Sequence, residues 1–303
     1  MSLTVALRPH PPSGTRRRDA PPSPSRRARR LRAHAVTAAL LLLLTAVSVV
    51  FLVPIFWMVS TSLKSNRHVF DLPIQWWPGR PLWGNYPGAY ATVRFTRYFV
   101  NSAIVTGSVT ILNAALSALA GYGLAKYRFL GRHALLVLIL ATLMLPLEVV
   151  MVPLYLTVQS LGWLNTYQGM IVPVAANALG VLMMRQYFLS LPDDLIAAAR
   201  IDGAGHVSTF LRIAVPLAWP ALLTVAILIF QSTWDDFVWP FLIISNTSKA
   251  TVPLAVQTFQ SAETSEFPML MAVSAIASVP LTLLFFVFQR QIITGVATTG
   301  MRH

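Results

Sequence analysis

Long charge-free stretches alternate with short basic connections along this chain. Residues 35–59 carry no charge at all. A helix crossing a hydrocarbon core about 30 Å thick needs about 20 apolar residues, so this stretch predicts a first membrane span. Residues 98–125 predict a second, rich in the Gly, Ala, Ser and Thr that let helices approach closely. Residues 133–158 predict a third, interrupted by Glu148. The charge-free run 149–184 is too long for one helix, and the segment QSLGWLNTYQ at 159–168 supplies its break. A fourth span then covers 169–188, a fifth 217–239 and a sixth 268–289. The fold class expected is an all-α integral membrane protein with six transmembrane helices.

Composition supports this pattern. Hydrophobic residues make up 55% of the chain and charged residues 11%, against about 25% charged in soluble domains. Too few charges are present to cover a soluble protein of this length, which excludes an ordinary cytosolic enzyme. There is no cysteine, so disulfides, thiolate metal sites and a cysteine nucleophile are excluded. The six histidines are scattered without ligand spacing, and no metal site is expected. No Ser/His/Asp arrangement can be read from spacing, so no catalysis is assigned.

The net charge of +13 is uneven. Residues 1–33 hold nine arginines and one acid, giving that tail +8. It is rich in Pro, Arg and Ser and too polar to bury a core, so it reads as disordered. Beside a long apolar run, the basic tail reads as a topology signal rather than a nucleic-acid site. Its adjacent arginines also suit a secretion signal, but the apolar run is too long for one and no A-x-A site follows. With the N-terminus inside, seventeen Lys and Arg face the cytoplasm and six face outward. Both termini are therefore expected in the cytoplasm. Outside, residues 65–97 carry Trp76, Trp77, Trp83 and Tyr86, which fit an interfacial aromatic belt or a docking surface for an external partner.

The connection between spans four and five departs from membrane character. Residues 191–216 read LPDDLIAAARIDGAGHVSTFLRIAVP. Pro192 suits the start of a helix. Asp193 and Asp194 suit its first turn, where the dipole favours negative charge. Leu195, Ala198, Ala199 and Asp202 share a face by helical spacing, and Gly203 is placed to end the helix. A short helix outside the membrane, with a small alanine-rich face, can pack on its own chain or seat in a groove of another protein.

This segment resembles the EAA loop of ABC importer permeases. The family pattern is E-A-A, three residues, Gly, nine residues, then I-x-L-P. Here it reads Ala197-Ala198-Ala199, Gly203 and Ile213-x-Val215-Pro216. The string from Ala198 to Ala204 (AARIDGA) is similar to the carbohydrate subfamily of the maltose-permease type. So are Pro220–Leu222, Trp234–Pro240 (WDDFVWP), Val152–Tyr155 and Gln289–Gly295. The likeness covers roughly residues 35–300. Two positions depart from the pattern: its glutamate is Ala197 here, and the leucine before its proline is Val215.

The resemblance implies a permease subunit of an importer that moves a sugar or oligosaccharide inward. It implies a transmembrane domain at 34–291, a coupling loop at 189–216 and a short C-terminal tail at 292–303. That tail can reach the ATPase dimer interface in relatives. It further implies a second homologous permease forming a heterodimer, two ATP-binding subunits, an extracytoplasmic solute-binding protein, and a place in the plasma membrane of a prokaryote. Ala197, Ala198, Ala199, Arg200, Asp202, Gly203 and Ala204 become the ATPase-coupling residues. The chain has no Gly-rich phosphate loop ending in Gly-Lys-Ser/Thr, so ATP and Mg belong to the partner ATPase.

Candidates for the translocation path are Glu148, Asn177, Asp235 and Asp236. A carboxylate inside a span is costly and usually faces a bundle interior or a water-filled cavity. Glu148 fits a pore lining or a hydrogen bond at a proline-distorted helix. Asp235 and Asp236 stand among Trp234, Phe237 and Trp239, which suits sugar stacking or membrane anchoring. Asn113 and Ser117 are polar positions of the second span, suited to a pore or to interhelical packing. Two rivals to the sugar reading stand. One is the same machine for a polyol or glycerophosphodiester. The other is an ion-driven transporter, which predicts coupling carboxylates and an internal repeat.

Overall fold

A computed structural model describes residues 26–93, 95–262 and 266–300. The chain divides into two compact units, Met1–Ile55 and Phe56–His303. Every described residue of the first lies on helix α1, Arg26–Ser62, which continues into the second. From Ala33 to Phe56 all of its residues are exposed. A bare helix with such side chains is stable in lipid, where its backbone groups are satisfied within the helix and its apolar surface meets acyl chains. The tail expected to be disordered through residue 33 lies outside the described residues up to 25. From Arg26 its backbone is already helical, and no proline or glycine occurs between there and Val53.

The second unit is helical throughout, with no strand among its described residues. A short helix α2, Asn85–Val93, precedes the long helix α3, Phe95–Lys126. Then come α4, Arg132–Leu143, and α5, Leu147–Ser160. These two are bent by 103°. The single third span expected over 133–158 is thus two helices. Pro146 explains the break: it stands in extended conformation (φ −64°, ψ 143°) as the N-cap of α5, and a proline also turns the residue before it away from helix.

Helix α6, Tyr167–Ile171, runs through a 3-10 turn, Val172–Val174, to α7, Ala178–Ser190, with a 45° bend. Next are α8, Asp193–Ile201, and α9, His206–Thr209. A π-helical turn, Phe210–Ala214, leads into α10, Val215–Leu217, and a 76° bend separates this segment from α11, Trp219–Trp234. The chain closes with α12, Val238–Ile243, α13, Val252–Ala262, and α14, Phe267–Gly300. Among the described residues three helices are long and apolar enough to cross a membrane, or up to six segments if each bent pair is one span. The C-terminal tail expected from residue 292 continues α14 as helical backbone to Gly300, and residues 301–303 lie outside the described residues.

The core forms where α3 meets α7 and α11. Val105, Val109, Tyr122, Met184, Phe188 and Val225 are buried there. In lipid, close packing rather than transfer from water holds such helices together. Gly180 permits the closest approach: a Cβ on it would lie 2.4 Å from Ser117 Oγ. Ser117 donates to Asn113 Oδ1 at 3.1 Å, and both residues are buried. Both stand in the packing between α3 and α7.

Outside α1, the aromatic loop folds back on the helix end. Trp76 meets Trp57 edge-on at 5.7 Å, and Trp77 stacks on Phe56 at 6.2 Å. Lys64 is buried, donates to the Gln75 carbonyl at 2.6 Å, and lies 4.1 Å above the Trp57 ring. Burial lowers its pKa from the usual lysine value. Asn85 donates to the carbonyls of Ser62 and Lys64.

Candidate functional site

The loop after α7 is built from its ends inward. Pro192 begins it in extended conformation, and α8 opens on Asp193 and Asp194. Lys126, the last residue of α3, fixes this start. Its ammonium donates to the Leu191 carbonyl at 2.7 Å and to Asp193 Oδ1 at 2.6 Å. The lysine side chain is 6% exposed and the aspartate side chain 88%. The hydrogen bond and charge of Lys126 hold the Asp193 carboxyl below the usual carboxylate range.

The far end of α8 closes by its backbone alone. The Gly203 N–H donates to the Arg200 carbonyl at 3.1 Å, and the Ala204 N–H to the Ala199 carbonyl at 2.9 Å. This pair of bonds is the Schellman termination, which requires a left-handed residue at the position of Gly203. Its φ is +81°. Asp202, just before it, caps the helix in backbone geometry.

Between these ends α8 has two sides. Ile196 and Ala199 are buried toward the bundle, while Leu195, Ala197, Ala198, Arg200 and Asp202 are exposed. Ala199 therefore does not share the outward face assigned to it with Leu195, Ala198 and Asp202. Alanine is small and apolar enough for either side, so spacing alone did not separate them. Ile201 is 86% exposed and Val207 70%. Sequence reasoning missed these two. A bare isoleucine and valine flanking a polar turn were the available signal. Below them, Tyr127 Oη pairs with His206 Nδ1 at 2.9 Å, and Tyr122 packs against Phe188, Phe210 and Tyr127.

The four path candidates stand at helix ends. Glu148 lies in the first turn of α5, exposed. Asn177 caps α7, accepting from the Leu179 N–H at 2.8 Å. Asp235 is the C-cap of α11. Asp236 accepts from the Trp239 N–H at 3.3 Å, where α12 begins. Among the described residues no hydrogen bond or ion pair joins any two of them. Trp239 is buried, donating to the Gly169 carbonyl at 3.2 Å. Asp235 opens into a hollow of about 370 Å³, beside Phe237, Ser274 and Ser278. Among the described residues no cluster of three or more His, Cys, Asp or Glu is placed to hold a metal ion.

Comparison with known proteins places this architecture. Residues 114–297 match the family described as "Binding-protein-dependent transport system inner membrane component". The chain is 34% identical over 255 residues to the probable ABC transporter permease protein YurM of Bacillus subtilis (strain 168), covering 82% of this chain and 83% of that protein. It is 32% identical over 268 residues to the arabinooligosaccharides transport system permease protein AraQ of the same organism, covering 87% and 95%. A crystal structure of a bacterial ABC transporter involved in the import of the acidic polysaccharide alginate contains a chain of like fold. The TM-score is 0.75 at 24% identity, over 89% of this chain and 99% of that one. Family membership sets the ion-driven rival aside. The chain belongs to the binding-protein-dependent inner membrane component family, and is thus a multi-pass membrane permease subunit of an ABC transport system and not an enzyme.

Proposed function

We propose that this permease imports a sugar or oligosaccharide as one half of a two-permease pore, driven by two ATP-binding subunits and fed by an extracytoplasmic solute-binding protein. Each bent helix pair is one span, so the chain crosses the membrane six times with both termini in the cytoplasm. Residues 189–216 then lie on the ATPase side. ATP and Mg belong to the partner.

The observation that carries the reading is the form of α8. It is fixed at one end by buried Lys126 and closed at the other by Gly203. Around that turn it leaves Leu195, Ile201 and Val207 bare. A short rigid helix with an apolar outer face suits insertion into a groove of another protein. Rigid seating matters because closure of an ATPase pair can bias the bundle only through a contact that moves as one piece. The sugar follows from the arabinooligosaccharide relative and from Asp235, whose hollow joins a carboxylate to an aromatic ring and two hydroxyls.

Two measurements test this. Gentle detergent extraction of the tagged chain, with partners identified by mass spectrometry, is expected to recover a second permease and an ATPase. Gly203→Trp is expected to insert normally, lose the ATPase and abolish uptake. Full uptake by that variant at normal expression would remove α8 from the coupling role.

A further inference from the structure

Beside α8, between the end of α3 and the turn into α4, lies a hollow of about 410 Å³. Lys126, Arg128, Arg132, Arg200, Asp193 and Ala197 line it. Four cations thus face one carboxylate, and Lys126 already holds that carboxylate at 2.6 Å. Arg132 donates to the Tyr127 carbonyl at 3.4 Å. The guanidinium groups of Arg128 and Arg200 have no ion pair within 4 Å and no hydrogen-bond partner among the described residues. The loop pattern resembled here carries a carboxylate where this chain has Ala197, so the hollow is not neutralised from within. Arginine forks match the oxygens of a phosphate in pairs.

The surroundings specify the source of the anion. Between Arg128 and Arg132 the turn exposes Phe129 and Leu130, the latter completely. Helix α4 rises from Arg132 without a single buried residue, presenting Leu135, Val137 and Leu138. The cations therefore stand at the foot of an apolar helix. A free phosphate gains nothing from such a wall, whereas a lipid places its headgroup on the arginines and its acyl chains along the helix. Basic hollows between membrane helices on the cytoplasmic side bind anionic headgroups by this combination.

We propose that the hollow between Arg128, Arg132 and Arg200 seats the phosphate of an anionic membrane lipid, whose acyl chains lie along α4. This rests on the reading above that α8 faces the cytoplasm. The lipid takes the side of α8 that carries Ala197 and Arg200, two of the residues the family resemblance assigns to coupling, and leaves Leu195, Ile201 and Val207 bare for the ATPase.

The test uses the full-length chain, with the subunits that co-purify, equilibrated in vesicles of phosphatidylcholine with and without phosphatidylglycerol. Lipid retained after extraction is counted by native mass spectrometry, a readout that needs neither ATP nor solute. It therefore fails or succeeds independently of the transport assignment. Retention of phosphatidylglycerol over phosphatidylcholine is expected, falling roughly thirtyfold in affinity for Arg128→Gln/Arg132→Gln. Arg67→Gln, in the outer loop, is expected to change nothing, and Arg128→Lys/Arg132→Lys to retain most of the lipid. Ala197→Glu supplies the missing carboxylate and is expected to expel the lipid, which covers the case in which the double variant fails to insert. Unchanged retention by the glutamine and glutamate variants overturns the proposal. Equal displacement by inorganic phosphate also overturns it, assigning the hollow to a soluble anion. So does loss of the ATPase without loss of lipid, which assigns it to an acidic segment of the partner.

Discussion

Gly203 shows how one residue carries a conformational and a spatial requirement separately. A Cβ placed on it meets nothing within 4 Å, yet its φ of +81° strains any L side chain. Glycine is required by the backbone, while the open space around it is available to a partner. Gly203→Ala is therefore expected to cost about 1–2 kcal/mol of left-handed strain. Faster amide exchange at Gly203 and Ala204, whose N–H groups make the closing bonds, measures it, with transport weakened rather than lost. Gly203→Asn is expected to fall between glycine and alanine, since asparagine tolerates this region better. Gly203→Trp adds bulk to the same strain. If alanine and tryptophan abolished uptake equally, the space around Gly203 would have no role. The same residue-level logic explains the polar positions inside apolar segments. Asn177 and Asp236 each accept a backbone N–H at a helix start, and Glu148 stands in a first turn. Polarity within these segments marks breaks in the helices as much as a path through them.

At the scale of elements, α8 is the part most fully legible in sequence. Pro192, the paired aspartates and Gly203 gave both of its ends, because caps and terminations are local and each has a stereochemical cause. The break between α4 and α5 was not read, although Pro146 and Glu148 together mark a helix start. The apolar composition of 133–158 outweighed them. The tether of α8 leads to a pH prediction. Lys126 holds the Asp193 carboxyl below its ordinary range through a hydrogen bond and its charge. A carboxylate depressed by folding stabilises the folded form above its unfolded pKa and loses that contribution as pH falls through the depressed value. The start of α8 is thus expected to stay tethered at neutral pH and to loosen only in acid, below the normal carboxylate range. Exchange or proteolysis at residues 191–196 reads this directly. Asp193→Asn is expected to loosen the segment already at neutral pH and to remove its acid dependence. Asp193 is exposed, so salt is expected to weaken the effect. An acid dependence that survived the asparagine substitution would place the titrating group elsewhere.

For the whole molecule, hydropathy marked the long apolar segments but not how they are bent. Three are interrupted, by 103°, 45° and 76°. Periodicity cannot register a bend, because both arms of a broken span are equally apolar. The unequal distribution of Lys and Arg supports the proposed direction across the membrane. Under that proposal Arg80 is expected outside and Val207 inside, and both are exposed. The absence of cysteine from the chain makes the assignment cleanly testable, since a single introduced thiol is the only one to react. Arg80→Cys is expected to label with a membrane-impermeant maleimide in intact spheroplasts. Val207→Cys is expected to label only after the membrane is opened, and to become protected when the ATPase is present. Protection should disappear in the Gly203→Trp background, because the helix termination at Gly203 lies between α8 and Val207 and within the proposed docking face. Labelling of Val207→Cys from outside would invert the topology and with it the side on which α8 meets its partner. Labelling from inside without protection would keep the topology and move the ATPase contact away from the turn at Gly203.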